Sequence, residues 1–527
     1  MQPNALMKNV AIYGYHDASL CLKDNGRYYI YEAERFFGKR YSILTQEFKN
    51  HPIVGHLVPS DSQFHAFFDH IKNKHKFETI ENLYYHDMYP PDINKIKQFF
   101  HVQNFRSFNH HDAHAWSAYC QCPFDETYII TYDGNGKNLV GPESSFVLWY
   151  ATPTEVKKLN DFQPWGSYSL GNCYIALTNC LASIKKKKNF GLPSAGKLMG
   201  LCSYGQPREA WKQVIREFFD SGSEDAAQGV ANVVGFDPRE YDTISGRDEL
   251  DFAATIQWAF EDKFFGIFND LNIPPNSNLC LAGGCALNII VNQKLFEMGY
   301  NVYVPPNSGD CGITLGVVAH ENQDRKIDAT YCGYEILDYG YYDSSFYRHD
   351  VTNQEIAKIL FEQKKIIGYI HGNSECGPRA LGNRSILCYP DIANLKNKLN
   401  SEIKFREWYR PFGAVTKLEN LEKYFYKACE SPFMNFCPIL KEQYRWPSIT
   451  HVDNTCRIQT VTRLQHPDLY DILTQIENLG GEGILLNTSF NIKGKPILTT
   501  MRDAFEVLEQ TKLNGFVHNN LYYTREV

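Results

Sequence analysis

The sequence predicts an α/β protein of two domains, the first of them duplicated internally. Three observations lead there. The segments 10–42 and 127–151 share one outline, in which two β-rich runs flank a polar glycine turn carrying an acidic residue. Helical stretches follow each of them. The periodicity then lapses in CGYEILDYGYYDSSFYRHD, which ends at Asp350, and a new helix and strand alternation begins; the boundary is set between a 1–345 domain and a 346–527 domain.

In the first segment, Asp24-Asn25-Gly26 between β-rich runs is a hairpin signal, and His16 and Asp17 fall at the end of the first strand. Further on, NHHDAHAWSAYCQ spaces His110 and His114 four apart among Ala113, Trp116 and Ala118. A helix there puts both imidazoles on one face, able to hold one metal ion, and points His111 elsewhere. The same spacing also occurs at a packed helix start. The run TYIITYD reads as a buried strand ending in Asp133, and Gly134 and Gly136 let the backbone approach a phosphate or a metal-bound oxygen. Two such strand-turn-strand units facing a common cleft have the outline of the actin-like nucleotide-binding fold.

The segment PSAGKLMG misses the GxxxxGK[ST] pattern, so it is no Walker A loop, although Lys197 could meet a phosphate. Residues 206–275 alternate helical and charged stretches and read as a supporting helical insertion. NLCLAGGCALNIIVNQ reads as a short strand, then Gly283-Gly284, then a helix from near Ala286. Free N–H groups at that start, with Asn288, could hold a nucleotide's phosphate or ribose; the glycines could equally serve close packing. Asp310, on a glycine-flanked turn before another helix, is a candidate third metal ligand, the alternative being a simple N-cap.

In the second domain, Thr352 or Asn353 caps a helix, followed by the strand KIIGYI and the loop HGNSECGPRALGNRSIL. There Gly377 and Gly382 combine with Arg379 and Arg384, a set suited to phosphate through backbone N–H and guanidinium groups together. KFREWYRPFGAV adds Lys404, Arg406 and Arg410, and HVDNTCRIQTV adds Arg457. So many cations on turn-like segments are costly to bury unless an anion meets them. GILLNTSFNIKGKPIL runs a buried strand into Asn487, Ser489 and Asn491, small polar groups suited to an amide-like or nucleotide ligand.

The bulk numbers exclude some partners. The chain of 527 residues is 43% hydrophobic and 21% charged, enough apolar material for more than one core. A net charge of -7 and a pI near 6.2 provide no overall drive toward a nucleic-acid polymer. The one basic run, Lys185 to Lys188, reads as a solvated loop. Fifteen cysteines are scattered without a repeated CxxC pair and read as reduced thiols. No stretch of eighteen apolar residues and no leader-like N-terminus occurs, so a cytoplasmic protein without a membrane partner is expected.

Taken together, GYHDASLCL, EAERFFGKR, HHDAHAWSAY, TYDGNG, GKLMGLCSYG, AGGCALN, the Asp310 turn, ECGPRALGNRSIL, YRPFGAV, HVDNTCRIQ and LLNTSFNIKGKPIL resemble, in order, the landmarks of the O-carbamoyltransferases of the nodulation, cephamycin and tobramycin type. They span nearly the whole chain. The resemblance implies an actin-like (ASKHA) duplicated N-terminal domain and a YrdC-like C-terminal domain. It further implies that the second domain forms carbamoyl adenylate from carbamoyl phosphate and ATP, and that the first transfers the carbamoyl group to a hydroxyl. Under it, Arg379, Arg384, Lys404, Arg406, Arg410 and Arg457 would bind carbamoyl phosphate, and Gly134, Gly136, Gly283, Gly284, Asn288, Asn487, Ser489 and Asn491 the nucleotide. His110, His114 and Asp310 would hold a divalent metal, Fe2+ first and Mn2+ or Mg2+ as alternatives, with Mg2+ accompanying ATP. His16 and Asp133 would be catalytic, His16 positioning or deprotonating the acceptor.

The expected partner is a small-molecule hydroxyl acceptor, whether a sugar, an antibiotic core or a hydroxymethylated nucleotide; a homodimer is admitted. Two departures bear on the acceptor. Ser194-Ala195-Gly196 stands where the family usually has an acidic residue before the lysine, and Lys495 where it commonly has Glu. The competing readings are a tRNA threonylcarbamoyl-transfer-like enzyme, an actin-like small-molecule kinase and an inactive protein that only binds nucleotide or carbamoyl phosphate.

Overall fold

Among the described residues up to Tyr303, ten strands build two five-stranded sheets to a single plan. The first sheet comprises β1 (Ala5–Tyr13), β2 (Ser19–Asp24), β3 (Arg27–Glu32), β4 (Phe77–His86) and β5 (His101–Phe108), in the order β3-β2-β1-β4-β5. The second comprises β6 (Thr127–Gly136), β7 (Ser144–Thr152), β8 (Glu155–Phe162), β9 (Asn278–Ala282) and β10 (Asn301–Tyr303), in the order β8-β7-β6-β9-β10. In each, the first strand is central, the next two turn back beside it as an antiparallel meander, and the last two run parallel on its other side. The expected duplication is therefore present strand for strand. This is a computed structural model, and it describes residues 5–45, 47–51, 54–136, 144–162, 169–184, 195–240 and 243–525.

Local chemistry accounts for the elements that matter to the site. Asn25 and Gly26, both at positive φ (48° and 79°), form the two-residue turn that joins β2 to β3. Val10 to Tyr13 are all buried on β1, as a strand covered on both faces requires. The helix Ile313–Asn322 lies against the helix His110–Gln121. A Cβ on Gly316 would stand 2.0 Å from the Ala113 carbonyl oxygen, so only glycine permits that approach. The expected helical insertion is built from Glu209–Ser221, Glu224–Val234 and Gly246–Asp270.

The second unit holds an eight-stranded mixed sheet. Its strands are β11 (Tyr347–Asp350), β12 (Ile367–Ile370), β13 (Arg384–Cys388), β14 (Gly413–Lys417), β17 (Arg457–Val461), β18 (Ile484–Ser489), β19 (Gly515–His518) and β20 (Leu521–Thr524); β15 (Phe425–Tyr426) and β16 (Ile439–Leu440) pair separately. The order is β11-β20-β19-β12-β13-β18-β14-β17. Alternation places Ile386, Leu486 and Ala414 in the core on one face and Leu387, Leu485 and Val415 in the core on the other. Thr352 caps the helix Asn353–Phe361 through a capping box with Glu355.

The compact units do not divide where the periodicity lapses. The first spans 1–33 and 41–328, the second 34–40 and 329–527. The expected boundary at 345/346 is thus displaced, because the irregular segment after Ala329 is tied into the second unit by its backbone: Cys376 N donates to Thr330 O (2.9 Å), Ser374 N to Tyr334 O (2.7 Å) and Leu337 N to Thr499 O (2.9 Å). Irregular chain carries no period, yet its backbone groups still require partners. Residues 34–40 join the same unit through Arg35, whose guanidinium donates to the Glu375 and Gly377 carbonyls.

Candidate active site

The helix His110–Gln121, capped by the Asn109 side chain, buries both His110 and His114 on one face, while His111 turns to Thr131. Strand β6 brings Asp133 to them, and the turn before the helix Ile313–Asn322 brings Asp310. Donor atoms of these four residues all lie within 4.8 Å of one another. The two Nε2 atoms are 3.1 Å apart; Asp133 Oδ2 is 3.3 and 3.1 Å from them, and Asp310 Oδ1 3.6 and 3.3 Å. Ligands bonded to one ion at about 2.1 Å stand roughly 3.0–3.4 Å from each other, so the spacing fits a shared divalent metal. Each carboxylate is also steadied from behind. Gly134 N donates to Asp133 Oδ1, and the buried Tyr13 hydroxyl donates to Asp310 Oδ2 at 2.9 Å.

Asp133 was expected beside His16 as a catalytic group; its Oδ2 lies against both imidazoles, which also places it among the candidate metal ligands. His16 borders the set, with Nδ1 3.3 Å from Asp17 Oδ2 and 3.7 Å from Asp310 Oδ2. Burial disfavours its charged form, but Asp17, Asp310 and Asp133 outweigh burial and push His16 up to about 9. His114 is likewise pushed up to about 9, burial being overcome by Asp133 and Asp310. Asp133 is held well below the carboxylate range, its burial overcome by His110 and His114. Sequence reading missed Tyr13: an apolar strand with one tyrosine gives no signal until its partner is known.

The glycines around this centre serve close packing. A Cβ on Gly171 would fall 2.7 Å from Gly134 Cα, and one on Gly284 2.9 Å from Asp133 Oδ1. Gly283, at φ +93°, would press a Cβ to 2.1 Å from the Tyr132 oxygen. Close approach of the chain beside Asp133 is thus a packing reason for glycine at 283 and 284. The helix expected from Ala286 starts at Ile289, after a single tight turn over Gly284–Leu287. Asn288 is its N-cap, and its amide also exchanges hydrogen bonds with Gln257, so its side chain is engaged within the protein. Gly136 ends β6 opposite Ser144. Lys197 is buried on the short helix Ala195–Leu201, while Lys185–Lys188 and Ser194 lie outside the described residues.

In the second unit, four of the expected arginines form one electrostatic group. Arg379 is held well below the usual guanidinium range by burial and by Arg457 and Arg410, and Arg406 by burial, Arg410 and Arg457. Burial and Arg410 bring Arg457 down to about 10. Since guanidinium stays protonated in proteins, these directions describe like-charge crowding that an anion would relieve. The Nε atoms of Arg379 and Arg457, like that of Arg384, are buried without a hydrogen bond among the described residues. Leu387, Asn487, Gly413 and Arg457 stand side by side on β13, β18, β14 and β17. Asn487 Nδ2 donates to Gln459 and to the Ala380 carbonyl, joining the Arg457 strand to the Arg379 loop. Arg40, from the 34–40 segment, adds its charge to the field at Lys404 and Arg410, which reading by sequence neighbourhood had assigned to the other domain.

Three expectations change here. Arg384 is fully buried, and its guanidinium donates to the His371 and Asn383 carbonyls (2.8 Å each) and to Tyr334 (3.1 Å); it lies in the field of Glu375 and Arg35, apart from the other arginines. Three of the loop's N–H groups, those of Leu381, Asn383 and Arg384, are taken by Glu375 Oε1 at 2.7–3.0 Å. Lys404 Nζ donates to Ser489 O, Asn491 O and Asn491 Oδ1 at 2.5–2.7 Å, so Ser489 and Asn491 converge on the ammonium. An internal carboxylate and internal carbonyls took the partners that sequence reading had reserved for a ligand.

Comparison with known proteins agrees with this division. The family models for the carbamoyltransferase N-terminus and C-terminus match residues 61–319 and 357–525. An uncharacterised Synechocystis protein is 30% identical over 478 residues, covering 78% of this chain and 75% of its own. Nodulation protein NolO of Bradyrhizobium diazoefficiens is 30% identical over 441 residues, covering 78% and 77%. The 3'-hydroxymethylcephem-O-carbamoyltransferase of Streptomyces clavuligerus is 27% identical over 352 residues, covering 63% of this chain and 65% of its own. With both family models in place and a 30% identical relative matched over three quarters of its length, the chain belongs to the carbamoyltransferase family and is a transferase.

Proposed function

We propose that the protein is an ATP-dependent O-carbamoyltransferase, with an actin-like first unit that performs transfer and a YrdC-like second unit that forms carbamoyl adenylate. Carbamoyl phosphate and water give carbamate and phosphate. A carbamate oxygen then attacks the α-phosphorus of ATP, and pyrophosphate leaves. In the first unit an acceptor hydroxyl attacks the carbamoyl carbon, the bond to AMP breaks, and the product is the O-carbamoyl ester, AMP and a proton.

The observation that carries this reading is the arginine group itself, in which Arg379, Arg406, Arg410 and Arg457 crowd like charge into a buried setting around the adjoining strands β14 and β17. Such a group binds a small dense anion through charge-assisted hydrogen bonds. In the first unit, His110, His114, Asp133 and Asp310 would hold a divalent metal, Fe2+ first. When bound, the metal supplies Lewis acidity at an oxygen of the acyl donor or acceptor. Tyr13 fixes the direction of Asp310, and His16 is the group within reach to take the acceptor's proton. Of the carboxylates that hold a proton on His16, Asp310 and Asp133 would then be neutralised by the cation, which weakens that hold, while Asp17 keeps its hydrogen bond to the imidazole. The O-carbamoyltransferase named among the relatives supports a hydroxyl as acceptor. Among the described residues no helix is long and apolar enough to cross a membrane.

The test is incubation with ATP, carbamoyl phosphate and a panel of hydroxylated compounds, read by mass spectrometry for AMP and carbamoyl esters. Exchange of labelled pyrophosphate into ATP that depends on carbamoyl phosphate is expected even without acceptor. Its absence would overturn the reading.

A further inference from the structure

We infer that Ser117, Gln121 and Asn307 form an enclosed site for a single water molecule, and that this water ties the helix His110–Gln121 to the turn carrying Asp310. The water site stands on its own geometry. Its positioning role rests on the metal centre of the proposed reaction.

Ser117 Oγ, Gln121 Oε1 and Asn307 Nδ2 are buried without a hydrogen bond among the described residues, and the three residues are 1%, 7% and 0% exposed. Buried polar atoms in that state are rare and costly, so each calls for a partner. Two contacts bring them together. Gln121 Nε2 donates to Asn307 Oδ1 at 2.8 Å, which sets the two amides side by side. A Cβ on Gly312 would lie 3.0 Å from Ser117 Oγ and 3.0 Å from Asn307 Cγ, so the hydroxyl and the amide flank the same glycine. Only glycine admits this approach, since that Cβ would also meet the Asn307 carbonyl oxygen at 2.0 Å. Polar groups so near, yet not bonded to each other, are spaced for a bridging molecule.

The class of that molecule follows from which atoms remain open. The Ser117 carbonyl can only accept, so its 2.7 Å bond from Gln121 Nε2 fixes how the first amide is turned. The same nitrogen, donating to Asn307 Oδ1, fixes the second. An amide N–H and an amide oxygen are left beside a hydroxyl. The N–H turns away a cation, and the oxygen turns away an anion. A small neutral molecule that both donates and accepts satisfies all three, and about three partners are usual for a buried water.

The site stands behind the metal centre. His114, Ser117 and Gln121 follow one stripe of the helix at spacings of three and four. Asn307 precedes Asp310 by three residues, and the turn between them closes through Gly312 N donating to Gly309 O at 3.0 Å. The water therefore joins the segment that holds two imidazoles to the segment that holds a carboxylate. Ser117, Gln121 and Asn307 are then positioning residues, which act on the metal through its ligands.

The experiment is the crystal structure of the native protein and of Ser117→Val, each also soaked in rubidium chloride, with Co2+ affinity and the visible absorption of bound Co2+ measured on both. One water within about 2.7–3.2 Å of all three atoms is expected in the native protein, with no anomalous signal from rubidium at that place. In Ser117→Val the added methyl groups should expel it, Co2+ affinity should fall by about tenfold or more, and the absorption bands of the saturated site should shift. A residue that served stability alone would lower Tm and leave those bands unchanged. If Ser117→Val fails to fold, Ser117→Ala replaces it, with a smaller fall in affinity and a shift in the same direction. A native map without the water, the three atoms bonded to one another, or rubidium in its place overturns the site. Native Co2+ affinity and absorption in the variant overturn the positioning role. A native protein that takes up no Co2+ counts against the proposed metal centre and the positioning role with it, while the map still decides the water.

Discussion

In the first unit two imidazoles and two carboxylates share a space 4.8 Å across, whereas in the second four guanidinium groups repel one another with Glu407 as the carboxylate 3.6 Å from Arg410. The first group is acidic, two carboxylates beside two imidazoles, and its donor atoms suit a cation. The second is basic, and its like-charge crowding is relieved by something anionic. Fold placement alone would give both regions the same standing as clusters of ionisable residues at loop ends. Their charge balance tells them apart, and with it the sign of what each should bind.

The strongest way to break this contrast is to remove a metal-site ligand. His114→Ala should lose bound metal and slow carbamoyl transfer by about a thousandfold or more, while pyrophosphate exchange stays near native. Equal loss of exchange would mean that the two regions are not separate in function. The measurement is metal content and single-turnover transfer from preformed carbamoyl adenylate.

Acid and alkali should also act on different units. His466 is pushed down to about 4 by burial and by His371, and His518 to about 4 by burial and Arg384. Both are neutral when folded and protonate more readily when unfolded. Their contribution is therefore complete above pH 6.5 and lost as pH falls toward 4, at up to about 3 kcal/mol for His466. His114, pushed up to about 9, has the opposite sign: in metal-free protein its stabilisation is complete below pH 6.5 and lost as pH rises through 9. Hydrogen exchange followed between pH 4 and 10 should show the second unit opening first in acid and the first unit in alkali.

The arginines divide more finely. Arg457→Ala and Arg379→Ala should each weaken carbamoyl phosphate by about 1.5–3 kcal/mol, read as its apparent affinity in pyrophosphate exchange. Arg384→Gln should instead lower Tm, because it strands buried carbonyls, with no selective loss for carbamoyl phosphate. If Arg384→Gln behaves like Arg457→Ala, the separation of the two arginine sets is wrong. The smallest effect expected is that of Tyr13→Phe, which removes the hydroxyl behind Asp310. Metal affinity should fall by about 10- to 100-fold with the fold retained, as judged by competition with a chelator.

Much of this was legible in the sequence because local spacing carried it. His110 and His114 lie four apart on a helix, and the Asn25-Gly26 turn, the duplicated strand pattern and the Thr352 cap are equally local. What was not legible depended on partners distant in the chain. Arg379 and Arg384 read alike in GPRALGNR, yet Arg379 lies in the field of Arg457 and Arg410 while Arg384 is tied to three backbone carbonyls. Gly283 and Gly284 read equally as a phosphate cradle or as packing glycines, because closeness to Tyr132 and Asp133 leaves no mark in the sequence. Asp133 read as catalytic because which of its oxygens faces the histidines is a matter of three-dimensional placement.

Residues 34–40 carry a consequence for how the chain is made. The ribosome releases them almost three hundred residues before the rest of the second unit, which begins at Ala329. The helix-forming stretch around Arg35 must therefore wait, with a guanidinium destined for the Glu375 and Gly377 carbonyls, until synthesis is well advanced. The second unit cannot mature as a simple tail added to a finished first unit. For the same reason, residues 329–527 expressed alone lack a buried piece of their own interior, and supplying a peptide spanning 30–44 in trans should be what lets them fold.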